Sequence, residues 1–172
     1  AWREVVVRLK ANEVDARELR NDTVLLVEQD SIAGFETVRA PYEGHYLHHG
    51  IHSVSKQIRI VVPKGSWLVP MGRPTDRYVM EALEPEGDDS FFAWGFFDSI
   101  LQQKEWFSDY VFEDMAAEWL MKNPQVKAAL DAKRAADPAF AADSFAQLSF
   151  VYQRSPWFEP GFRKYPVLRV PH

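Results

Sequence analysis

The hydrophobic residues change period once along this chain, near residue 72, and that change limits the folds open to it. Before it, the apolar residues come in short β-branched runs. "DTVLLVEQ" (22–29), "GFETVRA" (34–40), residues 43–53 and "SKQIRIVV" (55–62) all read as extended segments. "PKGS" (63–66) is a turn, and "WLVPM" (67–71) returns as a short strand, with Pro70 favouring an edge or a strand end. After it, apolar residues recur every three and four positions. The spacing predicts helices in "RPTDRYVMEALEP", "DDSFFAWGFFDSILQQKEWF", "SDYVFEDMAAEWLMKN", "PQVKAALDAKRAAD" and "DSFAQLSFVYQRS". Thr75 or Pro74 starts the first, Ser90 caps the second, Pro124 opens the fourth and Asp143 caps the last. One more helix is expected ahead of the strands, "WREVVVRLKAN", with Val5, Val6 and Leu9 near one face and Asn12 at its end. The tail "KYPVLRVPH" reads as extended.

The fold class that follows is α+β. A small mixed or antiparallel sheet in the N-terminal half is expected to pack with a C-terminal cluster of helices. Residues 1–172 form one expected domain, with 1–72 mainly β behind an N-terminal helix and 73–172 mainly α. At 172 residues, 47% hydrophobic and 14% aromatic, the chain has ample material for a packed core. Charges balance in residues 1–72, nine basic against nine acidic, and residues 73–172 carry the net acidity, eleven against sixteen. With a net charge of −5 and no basic stripe, nucleic acid is not an expected partner. No apolar run reaches the roughly 20 residues needed to span a bilayer. Cysteine is absent, which excludes disulfides, thiolate zinc sites and a cysteine nucleophile. The chain opens without an initiator Met and is expected to be a mature chain or a piece of a longer one.

Four of the five histidines, His45, His48, His49 and His52, fall within "GHYLHHGIH". Zinc needs three or four ligands converging at about 2 Å. A regular strand sends His45 and His49 to one face and His48 and His52 to the other, so one strand cannot gather all four. A bulge at Gly50 would swing His52 toward His49, and a third ligand must still come from elsewhere. Structural or solvated imidazoles are the other reading. "EALEPEGDDS" offers Glu81, Glu84, Glu86, Asp88 and Asp89 either as a hard-cation loop or as a solvated connection whose end caps the next helix. "FFAWGFFDS" is either an aromatic platform or core, and "SPWFEPGFRKYP" either a contact surface or a packed loop. No GxSxG, HExxH, HxxE or Gly-rich phosphate loop occurs.

Several stretches together resemble a known family. "PYEGHYLHHGI", "VPKGSWLVPMGRPTDRYVMEALEPEGDDSFFAWGFFDSI", "AADPAF" and "RSPWFEPGFRKYPVLR" are similar to the C-terminal region of large bacterial carboxypeptidase-A-like zinc metallocarboxypeptidases. Arg73 stands where that family commonly has Gln. The family's HxxE zinc pair, later His and catalytic Glu have no counterpart here. The resemblance therefore implies a non-catalytic C-terminal accessory domain of a zinc carboxypeptidase-like protein, periplasmic or secreted. Zinc is expected in a peptidase domain outside this stretch, with no cofactor in the chain itself. The implied partner is that peptidase domain, with peptide substrate at the rim. The candidates for interdomain or substrate-rim contacts are Arg77, Glu84, Glu86, Trp94, Asp98 and Trp157, each with a capping, solvated or core role as its alternative. A second reading is an independent peptide- or glycan-binding module using an aromatic surface of Trp67, Trp94, Trp106 and Trp157. A third is a small metalloenzyme using His45, His48, His49 and His52.

Overall fold

The computed structural model describes residues 2–103 and 106–171. The chain divides into two compact units. Ala1–Gln102 and Arg163–His172 make the first, and Gln103–Phe162 the second. The architecture is α+β, and every strand pair is antiparallel among the described residues.

The first unit opens with α1 (Arg3–Ala11), which buries Val5 and Leu9. Asn12 ends it, as its sequence suggests. Glu13 takes a positive φ, its N–H donates to Lys10 O, and the Val14 N–H donates back to Leu9 O at 3.0 Å. This pair of hydrogen bonds is the Schellman stop, and Val14 and Leu9 meet in the core as that motif favours. Two short strands, β1 (Arg17–Glu18) and β4 (Trp67–Leu68), pair with each other. The larger sheet has the order β3-β2-β5, from β2 (Thr23–Thr37), β3 (His48–Val62) and β5 (Lys164–Arg169). The four extended segments predicted between residues 22 and 62 are thus two 15-residue strands. Beyond their paired ends, Glu43 and Gly44, both at positive φ, make a two-residue turn between Tyr42 and His45.

Two bulges shape this hairpin. Ile32, Gly34 and Glu36 face Ser53, His52 and His49, so the extra residue lies first on β2 and then on β3. The second bulge contains Gly50 at positive φ. Each bulge reverses the alternation beyond it. That is how Ile32 and Phe35 both turn toward the core from one strand, and His48 and Ile51 from the other.

Helix α2 (Asp76–Leu83) buries Val79 and Ala82 on this core. Its start is held by Asp76, whose carboxylate accepts from the Gly72 and Arg73 N–H groups. The helix predicted after Ser90 does not form over 91–103, and its stretch at 104–105 lies outside the described residues. One turn, 91–94, is followed by Gly95 at positive φ and a 3₁₀ turn over Asp98–Leu101. The Gly95 and Phe96 N–H groups donate to Phe92 O and Phe91 O, each at 2.9 Å, a second Schellman stop. The rings of Phe91 and Phe96 meet across it at 5.2 Å. Phe92 and Phe97 fall into the core.

The second unit holds α3 (Asp109–Lys122), α4 (Pro124–Ala136), α5 (Pro138–Ala142) and α6 (Ser144–Tyr152). Pro124 and Pro138 open their helices, where a missing N–H costs nothing. Asp137 and Asp143 cap α5 and α6 by accepting from Phe140 and Ala146 N–H. Phe112, Ala116, Leu130, Phe140, Phe150, Val151 and Tyr152 form its core. The second unit leaves the first after Gln102 and the chain returns at Arg163. There Arg163 N–H donates to Ile100 O at 2.8 Å, and Ile32 N–H donates to Arg163 O at 2.9 Å.

Among the glycines the tightest backbone approach is at Gly87. A methyl there would meet Glu81 O at 2.5 Å, because the loop after α2 folds back on the helix end. Gly87→Ala is expected to cost about 1–3 kcal/mol in urea denaturation, the usual penalty of overpacking. Gly34→Ala, where an added methyl meets nothing within 4 Å, is expected to move stability by less than about 0.5 kcal/mol.

Candidate functional site

The segment from Ser90 to Asp98 organises the functional candidates of the first unit. Ser90 is fully buried. Its hydroxyl donates to Pro85 O and accepts from Ala93 N–H, the N-cap bond that its position predicts. The Phe91 N–H donates to Ala82 O and fastens the turn to α2. The Gly95 stop then separates the rings. Phe92 and Phe97 go inward, while Trp94 and Phe96 line a cleft of about 400 Å³. Its other walls are Trp2, Arg3 and Glu4 at the start of α1, and His45 of the hairpin turn.

The four clustered imidazoles have four separate settings. His48 is buried, its backbone N–H donates to Ala93 O, and its ring bridges Thr37 Oγ1 and Asp98 Oδ1, each at 2.9 Å. An ionised carboxylate only accepts. In the neutral ring Nε2–H therefore donates to Asp98, and Nδ1 accepts from the Thr37 hydroxyl. Both nitrogens are then engaged, and the one ring lone pair, on Nδ1, is taken by the Thr37 hydroxyl. His45 lies beside Trp94 and Phe96, with Nδ1 3.0 Å from Trp94 O. A carbonyl also only accepts, so Nδ1–H donates, and in the neutral ring Nε2 is left as an acceptor. His49 and His52 are exposed on the outer side of the Gly50 bulge. The bulge therefore exists, but among the described residues no group of three His, Asp or Glu side chains is placed to hold a metal ion.

The acidic candidates brace the fold. Glu84 accepts from Arg169 Nη1, and Arg169 Nη2 donates to Asp30 at 2.7 Å. Asp30 is only 3% exposed and also accepts from the Ser55 hydroxyl. Glu28 lies 3.5 Å from the same guanidinium. Glu86 accepts from both the N–H and the hydroxyl of Ser53 at 2.7 Å. The Ser53 hydroxyl, and after it the backbone N–H, holds the Glu86 carboxyl below the usual range. Asp89 accepts from Trp94 Nε1 and so fixes that ring. Arg77 is exposed on α2. Trp157 belongs to the second unit, where it meets Phe112 and Trp119 edge-on. Among the other indoles proposed for an aromatic surface, Trp67 lies under the Lys10 ammonium and Trp106 stacks on Phe107. Of those four tryptophans, Trp94 lines the cleft.

Sequence reasoning missed Trp2, Thr37, Asp30 and Arg169. Each acts through partners distant in the chain, and nothing in its local pattern marks it. The cleft carries rings, one cation, one carboxylate and one imidazole acceptor. No protein-family description, no curated protein and no solved structure matches the chain.

Because the Glu86 carboxyl is held low, the native state binds this proton less readily than the unfolded chain. Its contribution is full above the ordinary carboxylate range and is lost as pH falls through its lowered value. Glu86→Gln is expected to lower stability at pH 7, and its difference from wild type is expected to vanish once pH is well below the carboxylate range. Denaturant melts across that range check it.

Proposed function

We infer that the chain is a non-catalytic accessory domain of a zinc carboxypeptidase-like protein, which docks on the peptidase domain and shapes or steadies its substrate cleft. In this reading zinc is held by the peptidase domain's own ligands, and peptide substrate passes at the rim. The observation that carries the docking role is an apolar face at one end of the β2–β3 hairpin. Val24 pairs with Val61, and Leu26 with Arg59. Val24, Leu26 and Val61 are 58%, 44% and 60% exposed. They continue the face that buries Ile32 nearer the core. β5 pairs with β2 only from Glu28 onward, so the outer edge of β2 beside this patch carries no strand among the described residues. Clustered exposed apolar side chains of this kind mark contact surfaces. The polar candidates Glu84, Glu86 and Asp98 are engaged within their own unit, which agrees with a role by contact.

The reading frame upstream of Ala1 is the first check. An HxxE pair and a later His there support the reading, and an initiator codon close to Ala1 overturns it. In the two-part protein, Val24→Thr with Val61→Thr is expected to loosen the accessory domain, seen as separate melting transitions and slower peptide hydrolysis. The same pair in the isolated chain is expected to shift its stability by no more than about 1 kcal/mol, twice the usual surface effect. Deleting residues 1–172 with folding and activity unchanged would sink the idea.

A further inference from the structure

We propose that the aromatic cleft of the first unit is a subsite for one ring of a neutral glycan. The proposal does not rest on the docking role, since the cleft and the hairpin patch share no residue.

Its walls are flat rings whose orientations are set before any ligand arrives. The Trp94 indole is held by the carboxylate of Asp89, and the His45 ring by the Trp94 carbonyl. Phe96 lies parallel to His45, 20° between planes, with the Arg8 guanidinium 4.5 Å from its centroid. Trp2 meets Phe97 edge-on at 4.9 Å. Rings fixed in this way lose little freedom on binding. Phe96 already has His45 and Arg8 against it, so the Trp2 and Trp94 rings of the cleft are the surfaces for the axial C–H bonds of a pyranose.

The polar groups select among ligands that stack. Arg3 supplies donors only, while Glu4 and the His45 Nε2 supply acceptors. Glu4 Oε2 also accepts from Arg8 Nη1 at 3.5 Å, so its other oxygen is the one left for a ligand. A sugar ring presents neighbouring hydroxyls that each donate and accept, and both kinds of partner stand at the cleft. The volume of about 400 Å³ lies near the lower end of the ~300–1,000 Å³ range of ligand sites. That suits a mono- or disaccharide unit.

The test uses the 172-residue chain. Cellobiose, maltose and N,N′-diacetylchitobiose are titrated to tens of millimolar while the indole N–H resonances of Trp2 and Trp94 are followed. At least one sugar is expected to give saturable shifts at these two indoles, with those of Trp67 and Trp157 unmoved. Trp94→Ala is expected to weaken binding at least tenfold. Arg3→Ala and Glu4→Ala, at exposed helix positions that leave the fold intact, are each expected to weaken it severalfold. No saturable shift with any of the three sugars overturns the proposal. So does saturable binding of a phenylalanine-containing dipeptide in their place, which would make the cleft a peptide site. Sugar binding that survives both Arg3→Ala and Glu4→Ala unchanged overturns it as well.

Discussion

One buried imidazole joins the hairpin to the aromatic segment. The neutral His48 ring accepts from the Thr37 hydroxyl at the end of β2 and donates Nε2–H to Asp98, while its backbone N–H donates to Ala93 O. Phe35 and Phe92 pack against the ring. A buried polar group left without its partner costs about 1–3 kcal/mol, so three bonds on one residue fix three pieces of chain together or not at all. The position of the cleft depends on it. Trp94 and Phe96 stand where they do because the turn carrying them is anchored at Ala93 and Asp98.

The acidic motif after α2 braces a different junction. Glu84 reaches β5 through Arg169, and Glu86 reaches β3 through Ser53, with Pro85 between them. Two carboxylates two residues apart thus tie the end of one helix to two strands of one sheet. Arg169 also neutralises Asp30, whose burial would otherwise be costly. Three acids around one guanidinium leave the cluster negative, and the Ser55 hydroxyl supplies a further donor to Asp30.

Much of the fold was legible wherever the deciding signal is local. Asn12, Pro124 and Asp143 mark helix ends by their own backbone or side-chain chemistry, and the structure places those ends accordingly. Hydrophobic period distinguished the strands from α2, α3, α4 and α6. It misread 91–101, where helical spacing of the phenylalanines is real but Gly95 reverses the backbone and spreads them around a stop. It also divided two long strands, at Val54 inside unbroken pairing and between residues 29 and 34, where a bulge breaks alternation without breaking pairing. The histidines were resolved only in part for the same reason. Alternation alone puts His48 and His52 together, and the bulge moves them to opposite faces. The cleft was half legible: Trp94 stands out in its sequence, but Trp2 becomes its neighbour only through a fold that brings residues 2 and 94 together.

The hydrogen bond from Arg163 to Ile100 has a consequence for how this chain can vary. It brings the exit and re-entry points of the helical excursion side by side, so the first unit meets that excursion as a closed loop. The entropy of closing a loop grows only with the logarithm of its length, about 0.6 kcal/mol for each doubling. Its host strands and turns are therefore nearly indifferent to how many residues leave and return there. On closure entropy alone, residues 103–162 leave and return at a place where the length of the excursion is almost neutral.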